Sequence, residues 1–150
     1  MLTAKDKIFL KGLQTDFPLD ARPFGLLAGQ AGLSEEKMLA YFRKFERQGL
    51  IRYIAPMFDL RKLGVVSTLI AMRVPVGQLD QVVRIINACP NVSHNYLRDG
   101  DYNVWFTLSA ASERKLKAIL TRIRKESGVE DMLDLRTERV FKSQAIFELR

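Results

Sequence analysis

Near Gly64 the apolar residues change their spacing, and this change constrains the fold more than any other feature of the 150-residue chain. Before it they recur every three or four positions, the period of a helix with one buried side. After it come stretches of alternation, the period of a strand with one buried face. A chain that switches period in this way is expected to build a helical part and a mixed part. We place them at residues 1–63 and 64–150, an α+β protein.

In the first part, Thr3 followed by Asp6 has the spacing of a reciprocal helix cap, and Ile8, Phe9 and Leu13 give that helix an apolar side. It should stop before Phe17-Pro18. Asp20 is expected to cap a second helix with Pro23 in its first turn and Leu26 and Leu27 inward. Ser34 caps a third, with Glu35 and Glu36 where the helix dipole favours acids, Met38, Phe42 and Phe45 inward, and Gly49 as its stop. Three short helices with a tight turn before the third form a helix-turn-helix. Leu50–Pro56 and Met57–Asp59 read as a small wing, which makes the part a winged helix-turn-helix.

In the second part, Thr68, Ile70, Met72 and Val74 alternate as one strand, and Leu79, Val82, Val83 and Ile86 follow at helical spacing. Two strands come next, the second with Val104, Phe106 and Leu108 on one face. Ser112 caps a helix with Leu116, Ile119, Leu120 and Ile123 inward and Gly128 at its end. Leu135 to Phe147 supplies a last strand. The order β-α-β-β-α-β is ferredoxin-like.

The candidate chemistry lies in Asn91–Phe106. Regular alternation puts Val92, His94, Tyr96 and Arg98 on one face of a strand, and Asp99-Gly100-Asp101 turns the chain back into Tyr102-Asn103-Val104-Trp105-Phe106. His94 is the one histidine and Trp105 the one tryptophan. A histidine in water titrates near about 6.5, so both of its forms are available near neutrality to move a proton. A guanidinium can grip a carboxylate through two parallel hydrogen bonds, and a phenol can donate one or relay a proton. Tyr102 and Trp105 offer flat faces to a flat ligand.

Composition excludes other classes. No apolar run reaches the roughly 20 residues of a membrane span, and no signal peptide is recognisable at the N-terminus, so a cytoplasmic protein is expected. One cysteine, Cys89, allows neither an internal disulfide nor a paired-cysteine metal site. The net charge of +7 favours an anionic partner. It is spread over both parts, with 11 Lys/Arg against 7 Asp/Glu in residues 1–65 and 13 against 10 in residues 66–150. The outer side of the helix after Ser112, with Arg114, Lys115, Lys117, Arg122, Arg124 and Lys125, is basic enough to steer a polyanion or simply to keep the surface solvated.

Ala31-Gly32-Leu33-Ser34, Phe45–Arg52 and Arg61-Lys62-Leu63-Gly64 resemble the characteristic segments of the Lrp/AsnC regulators, across essentially the whole chain. Glu35 and Glu36 depart from a DNA-reading helix, because phosphates repel them. Gly100-Asp101-Tyr102-Asn103 departs from the Gly-x-Tyr-Asp of the amino-acid-sensing regulators. His94–Arg98, Tyr102–Phe106 and Arg61–Gly64 are instead similar to the siroheme decarboxylases, the alpha subunit more than the beta. That resemblance implies conversion of siroheme to 12,18-didecarboxysiroheme by loss of two acetate carboxyls as CO2. It also implies a homologous beta subunit as partner and no cofactor beyond the substrate's own iron tetrapyrrole, while Glu35 and Glu36 put DNA binding in doubt.

On that resemblance His94, Tyr96 and Arg98 are the catalytic candidates, and Arg52, Arg61, Lys62, Tyr102, Asn103 and Trp105 the substrate-binding ones. Alternatives stand beside these roles. His94 can ligate the substrate iron in place of donating a proton, the hairpin face can be a subunit contact, and Arg52, Arg61 and Lys62 can be ordinary solvated cations. A regulator binding DNA and a small effector is the competing function.

Overall fold

The computed structural model describes residues 2–15, 17–56, 58–143 and 146–148. The chain forms two compact units, residues 1–56 with 142–150 and residues 57–141.

The first unit holds α1 (Ala4–Thr15), α2 (Pro23–Gln30) and α3 (Glu35–Arg47). The cap at α1 is reciprocal: the Thr3 amide donates to Asp6 Oδ2 at 2.9 Å, and the Asp6 amide donates to Thr3 Oγ1 at 3.2 Å. Lys44 of α3 adds a bond to Asp6 Oδ1 at 3.1 Å, which ties the cap to the third helix. Leu27, Ala28 and Met38 are buried with Phe9, Leu13, Phe17, Phe24 and Leu33 packed on them. Phe45 is fully buried, 5.7 Å from the Phe9 ring.

Ile8 and Leu26, expected inward, are exposed. In α1 the inner side runs through Asp6, Phe9, Leu10 and Leu13, and Ile8 falls outside that arc. Asp20 does not cap α2. Its carboxylate accepts from the Arg22 amide at 2.9 Å, which turns the chain ahead of Pro23, and Arg22 is the cap position without a side-chain bond. Ser34 caps α3 as expected, its hydroxyl accepting from Lys37 N. The expected wing is not formed, since residues 50–56, 58 and 59 carry no strand; Met57, in its middle, lies outside the described residues. Leu50, Tyr53 and Ile54 all remain exposed, so no alternating face is buried to hold a ribbon.

The second unit is an antiparallel sheet in the order β2-β3-β1-β4, from β1 (Val66–Met72), β2 (Val92–Leu97), β3 (Val104–Ala110) and β4 (Met132–Arg136). A 3₁₀ turn at Val76–Gln78 leads into α4 (Leu79–Asn87), and α5 (Glu113–Ser127) follows β3. Ile70, Met72, Val104, Phe106 and Leu108 join Val82, Ile86, Leu116 and Ile123 in one core, so both helices pack on the same sheet face. Gly128 ends α5 at φ 69°, a left-handed conformation that costs glycine little.

The last strand lies earlier than expected. β4 ends at Arg136, and residues 137–143 and 146–148 carry no strand. Thr68 of β1 donates to Asp134, and Arg136 reaches Glu113 at the start of α5 through two bonds of 3.0 and 3.1 Å, so polar pairing fixes this edge rather than an apolar run. Of the remaining expected segment, Gln144 and Ala145 lie outside the described residues. Phe147 belongs to the helical unit, its amide donating to Gln14 Oε1 at 2.8 Å.

Hydrogen bonds from the Thr3 backbone first, then the Thr3 hydroxyl and Lys44, hold the Asp6 carboxyl below its ordinary value. A depressed carboxyl stabilises the fold above its unfolded pKa, and that contribution is lost as pH falls through the folded value. Asp6→Asn is expected to lower the urea midpoint of helix loss, followed by circular dichroism, at neutral pH. The gap to the wild-type chain should close as the solution is made more acidic than the ordinary carboxyl range.

Candidate functional site

β2 and β3 position the site. Val104, Phe106 and Leu108 face the core, so Trp105 and Thr107 face the side of the sheet without helices. On β2 the pairing is Val92 with Leu108, then His94 with Thr107 and Tyr96 with Trp105, with the register slipping between Val92 and His94. That slip is a β-bulge at Ser93. It corrects the expectation that Val92 shares a face with His94: Val92 turns to the core, whereas His94 and Tyr96 stand on the open face.

The His94 and Tyr96 rings are nearly parallel, 9° apart in plane with centroids 6.1 Å apart. The Tyr96 hydroxyl is 3.4 Å from His94 Nδ1, at the long end of a hydrogen bond. In the neutral tautomer that accepts at Nδ1, the ring's proton sits on Nε2. The Arg98 guanidinium lies over the Trp105 ring at 5.4 Å, within range of a cation–π contact. His94, Tyr96, Arg98 and Trp105 thus surround one depression of about 200 Å³, completed by Leu69 of β1 and by Thr107.

Tyr102 and Asn103 are near this depression in sequence and engaged elsewhere. The Tyr102 hydroxyl donates to Asp131 Oδ1 at 2.8 Å, and Arg73 bonds Asp131 Oδ2 at 3.0 Å while lying over the Tyr102 ring at 5.3 Å. The Asp131 hydrogen bond raises the Tyr102 pKa, burial adds to it, and Arg73 opposes it. Asn103 accepts from Val74 N and donates to Val74 O.

Arg61 and Lys62 are not among the residues that line this depression. Arg52 is exposed in the helical unit. Arg61 lies 3.5 Å from Asp59 in a turn closed at Gly64, and Lys62 is exposed in the same turn. No hydrogen bond or ion pair among the described residues links either one to the hairpin. At the start of α3, Glu35 is paired with Arg22, and Glu36 is exposed. Among the described residues no group of three His, Cys, Asp or Glu side chains could hold a metal ion, and no helix is long and apolar enough to cross a membrane.

Leu69, Thr107, Arg73 and Asp131 are not singled out by the sequence. Thr107 is within its reach, being two residues from Trp105 on the same side of a strand. Leu69, Arg73 and Asp131 reach the hairpin only through sheet pairing, which leaves no local signal.

Two family models match: an AsnC-like ligand binding domain over residues 62–142 and a siroheme decarboxylase NirDL-like HTH domain over residues 6–52. The siroheme decarboxylase alpha subunit of Desulfovibrio desulfuricans is 39% identical over 99% of this chain and 85% of its own length. The siroheme decarboxylase of Hydrogenobacter thermophilus is 44% identical over 91% of this chain, which spans only 41% of that relative. The crystal structure of the siroheme decarboxylase NirDL with an iron-uroporphyrin III analogue superposes with a TM-score of 0.72 at 38% identity, over 96% of this chain and 48% of that one.

Removing the carboxylate that accepts the Tyr102 hydrogen bond should return that phenol towards its ordinary pKa. In Asp131→Asn we expect one of the four tyrosines to ionise at lower pH in an alkaline titration followed by phenolate absorbance. An unchanged titration would show that the bond does not persist in solution.

Proposed function

The chain belongs to the siroheme decarboxylase family, and from this and its hairpin geometry we propose that it decarboxylates siroheme to 12,18-didecarboxysiroheme in the cytoplasm. The observation that carries the reading is the convergence of His94, Tyr96, Arg98 and Trp105 on one open sheet face. These are the groups the reaction needs: a proton donor, a carboxylate grip and a flat platform.

In each decarboxylation the bond between the acetate methylene and its carboxyl carbon breaks, and CO2 leaves. The electron pair left on the methylene is drawn into the macrocycle, and a proton then converts methylene to methyl. Electrons balance without an oxidant or reductant. His94 supplies the proton from Nε2, and Tyr96, at Nδ1, fixes the tautomer that carries it there. Arg98 holds a carboxylate of the substrate through a charge-assisted pair. Trp105 backs Arg98 and gives the ring an apolar surface. Arg61 and Lys62 are proposed to meet the outer carboxylates.

A tetrapyrrole is larger than the depression, and Leu69, Tyr96, Leu133 and Leu135 leave the open face partly apolar and exposed. A second chain is therefore needed to cover the substrate, and a homologous beta subunit is the proposed partner. The spans of 41% and 48% in two relatives support this, since those chains have room for a second module of similar length. The regulator reading is disfavoured by Glu36, exposed in the first turn of α3 where phosphates would repel it.

The test is anaerobic incubation of the chain, with its partner, with siroheme, followed by mass spectrometry. Loss of two CO2 units is expected. His94→Ala should still bind siroheme and turn over roughly 100-fold more slowly, the scale for losing a positioned acid. Arg98→Ala should raise KM with kcat little changed, because the grip acts on ground and transition states alike. A changed visible spectrum of the His94→Ala complex would instead make His94 an iron ligand. Wild-type rates in both variants would place the catalytic groups on the partner.

Association is the second expectation of this reading. Light scattering should find a dimer or larger assembly in the presence of the homologous subunit at micromolar concentration. A monomer under those conditions would contradict the shared site.

A further inference from the structure

The Asn103 side chain ties the turn between β2 and β3 to Val74, just beyond the end of β1. Asn103 Oδ1 accepts from the Val74 amide at 2.9 Å, and Asn103 Nδ2 donates to the Val74 carbonyl at 2.8 Å. A single carboxamide thus satisfies both polar groups of a backbone residue, as a neighbouring strand would. The Asn103 amide also donates to the Met72 carbonyl at 3.0 Å.

In a planar trans peptide the N–H and C=O point to opposite sides. Anchoring Asn103 N–H on β1 therefore aims the carbonyl of the same peptide, that of Tyr102, away from β1. That carbonyl accepts the Trp105 indole N–H at 2.6 Å. The strand alone decides only which face Trp105 leaves from; its side-chain torsions would let the ring swing between staggered positions. The bond to Tyr102 selects one of them, in which the ring lies 5.4 Å from the Arg98 guanidinium. Among the described residues no ion pair joins Arg98 to a carboxylate, and its guanidinium rests on the indole.

We propose that Asn103 is a positioning residue: by locking the Tyr102–Asn103 peptide it sets the Trp105 indole as the platform that presents Arg98 to a substrate carboxylate. The catalytic consequence rests on the decarboxylase reading, whereas the lock itself is a property of the free protein. This assigns Asn103 a role distinct from substrate contact.

The test is Asn103→Asp, which has nearly the same shape. Ionised, the variant's carboxylate would still accept from the Val74 amide but would set a lone pair against the Val74 carbonyl; protonated, it would donate there again. Trp105 is the one tryptophan, so indole fluorescence reports the lock directly. At neutral pH the variant, folded by circular dichroism, should show red-shifted emission and stronger acrylamide quenching than the wild-type chain. Acidification should bring both back towards wild type. The wild-type chain titrated alongside accounts for His94, Asp99, Asp101 and Asp131, the titratable groups around the hairpin, and for the cations Arg73 and Arg98.

With the partner subunit and siroheme, the variant should raise KM about tenfold with kcat little changed, the scale of one charge-assisted hydrogen bond. Emission and quenching equal to wild type at neutral pH would overturn the lock. Altered fluorescence with unchanged KM would overturn the link from the indole to the carboxylate grip. Should Asn103→Asp not fold, Trp105→Phe, which keeps a ring but cannot bond to Tyr102, must raise KM likewise, and an unchanged KM overturns the proposal. If the wild-type assembly leaves siroheme intact, the functional reading fails and the fluorescence comparison alone decides the lock.

Discussion

The burial of alternate residues along β3 is the constraint on which the sheet unit depends. Val104, Phe106 and Leu108 are all but inaccessible, packed against side chains of α4 and α5. Burying each such side chain stabilises by about 1.5–3 kcal/mol, and a slip of one residue would exchange all of them for Trp105, Thr107 and Ser109. That energy fixes the register of the central strand. With it comes the direction of Trp105 and Thr107, which belong to the site without contributing to the core.

The neighbouring edge strand obeys a weaker constraint, and the proposed site occupies it. β2 buries little, with Ser93, His94, Tyr96 and Leu97 exposed, so one extra residue can be accommodated at Ser93 without disturbing the core. The bulge lets Val92 remain with the core while His94 and Tyr96 turn to the open face. An apolar anchor and a polar site thereby share one short strand. The same open face leaves Leu69, Leu133 and Leu135 partly bare.

Charge is distributed in keeping with this division of labour. Two acids near the hairpin tip are engaged: Asp131 with Tyr102 and Arg73, and Asp101 with Arg73. Arg98, one step away, rests on an aromatic face instead. In the helical unit Glu35 is neutralised by Arg22 and Asp6 by its cap and Lys44, which leaves Glu36 to oppose phosphates at the start of α3.

Local rules make much of this legible in the sequence. The caps at Thr3, Ser34 and Ser112, the stop at Gly128, the alternation of β3 and the helical spacing in α4 and α5 each depend on residues a few positions apart, so the chain alone determines them. Ile8, the wing and the last strand depart from expectation because the inner side of a helix, and the survival of a ribbon or edge strand, depend on distant partners such as Thr68 and Glu113. The same holds for the site. His94, Tyr96, Arg98 and Trp105 stand out by type and spacing, and their family resemblance is readable from the sequence. Only tertiary structure turns Val92 away from them, brings Leu69 alongside, and joins Asn103 to Val74 and Tyr102 to Asp131, because pairing between strands far apart in the chain, rather than any local preference, decides which side chains meet.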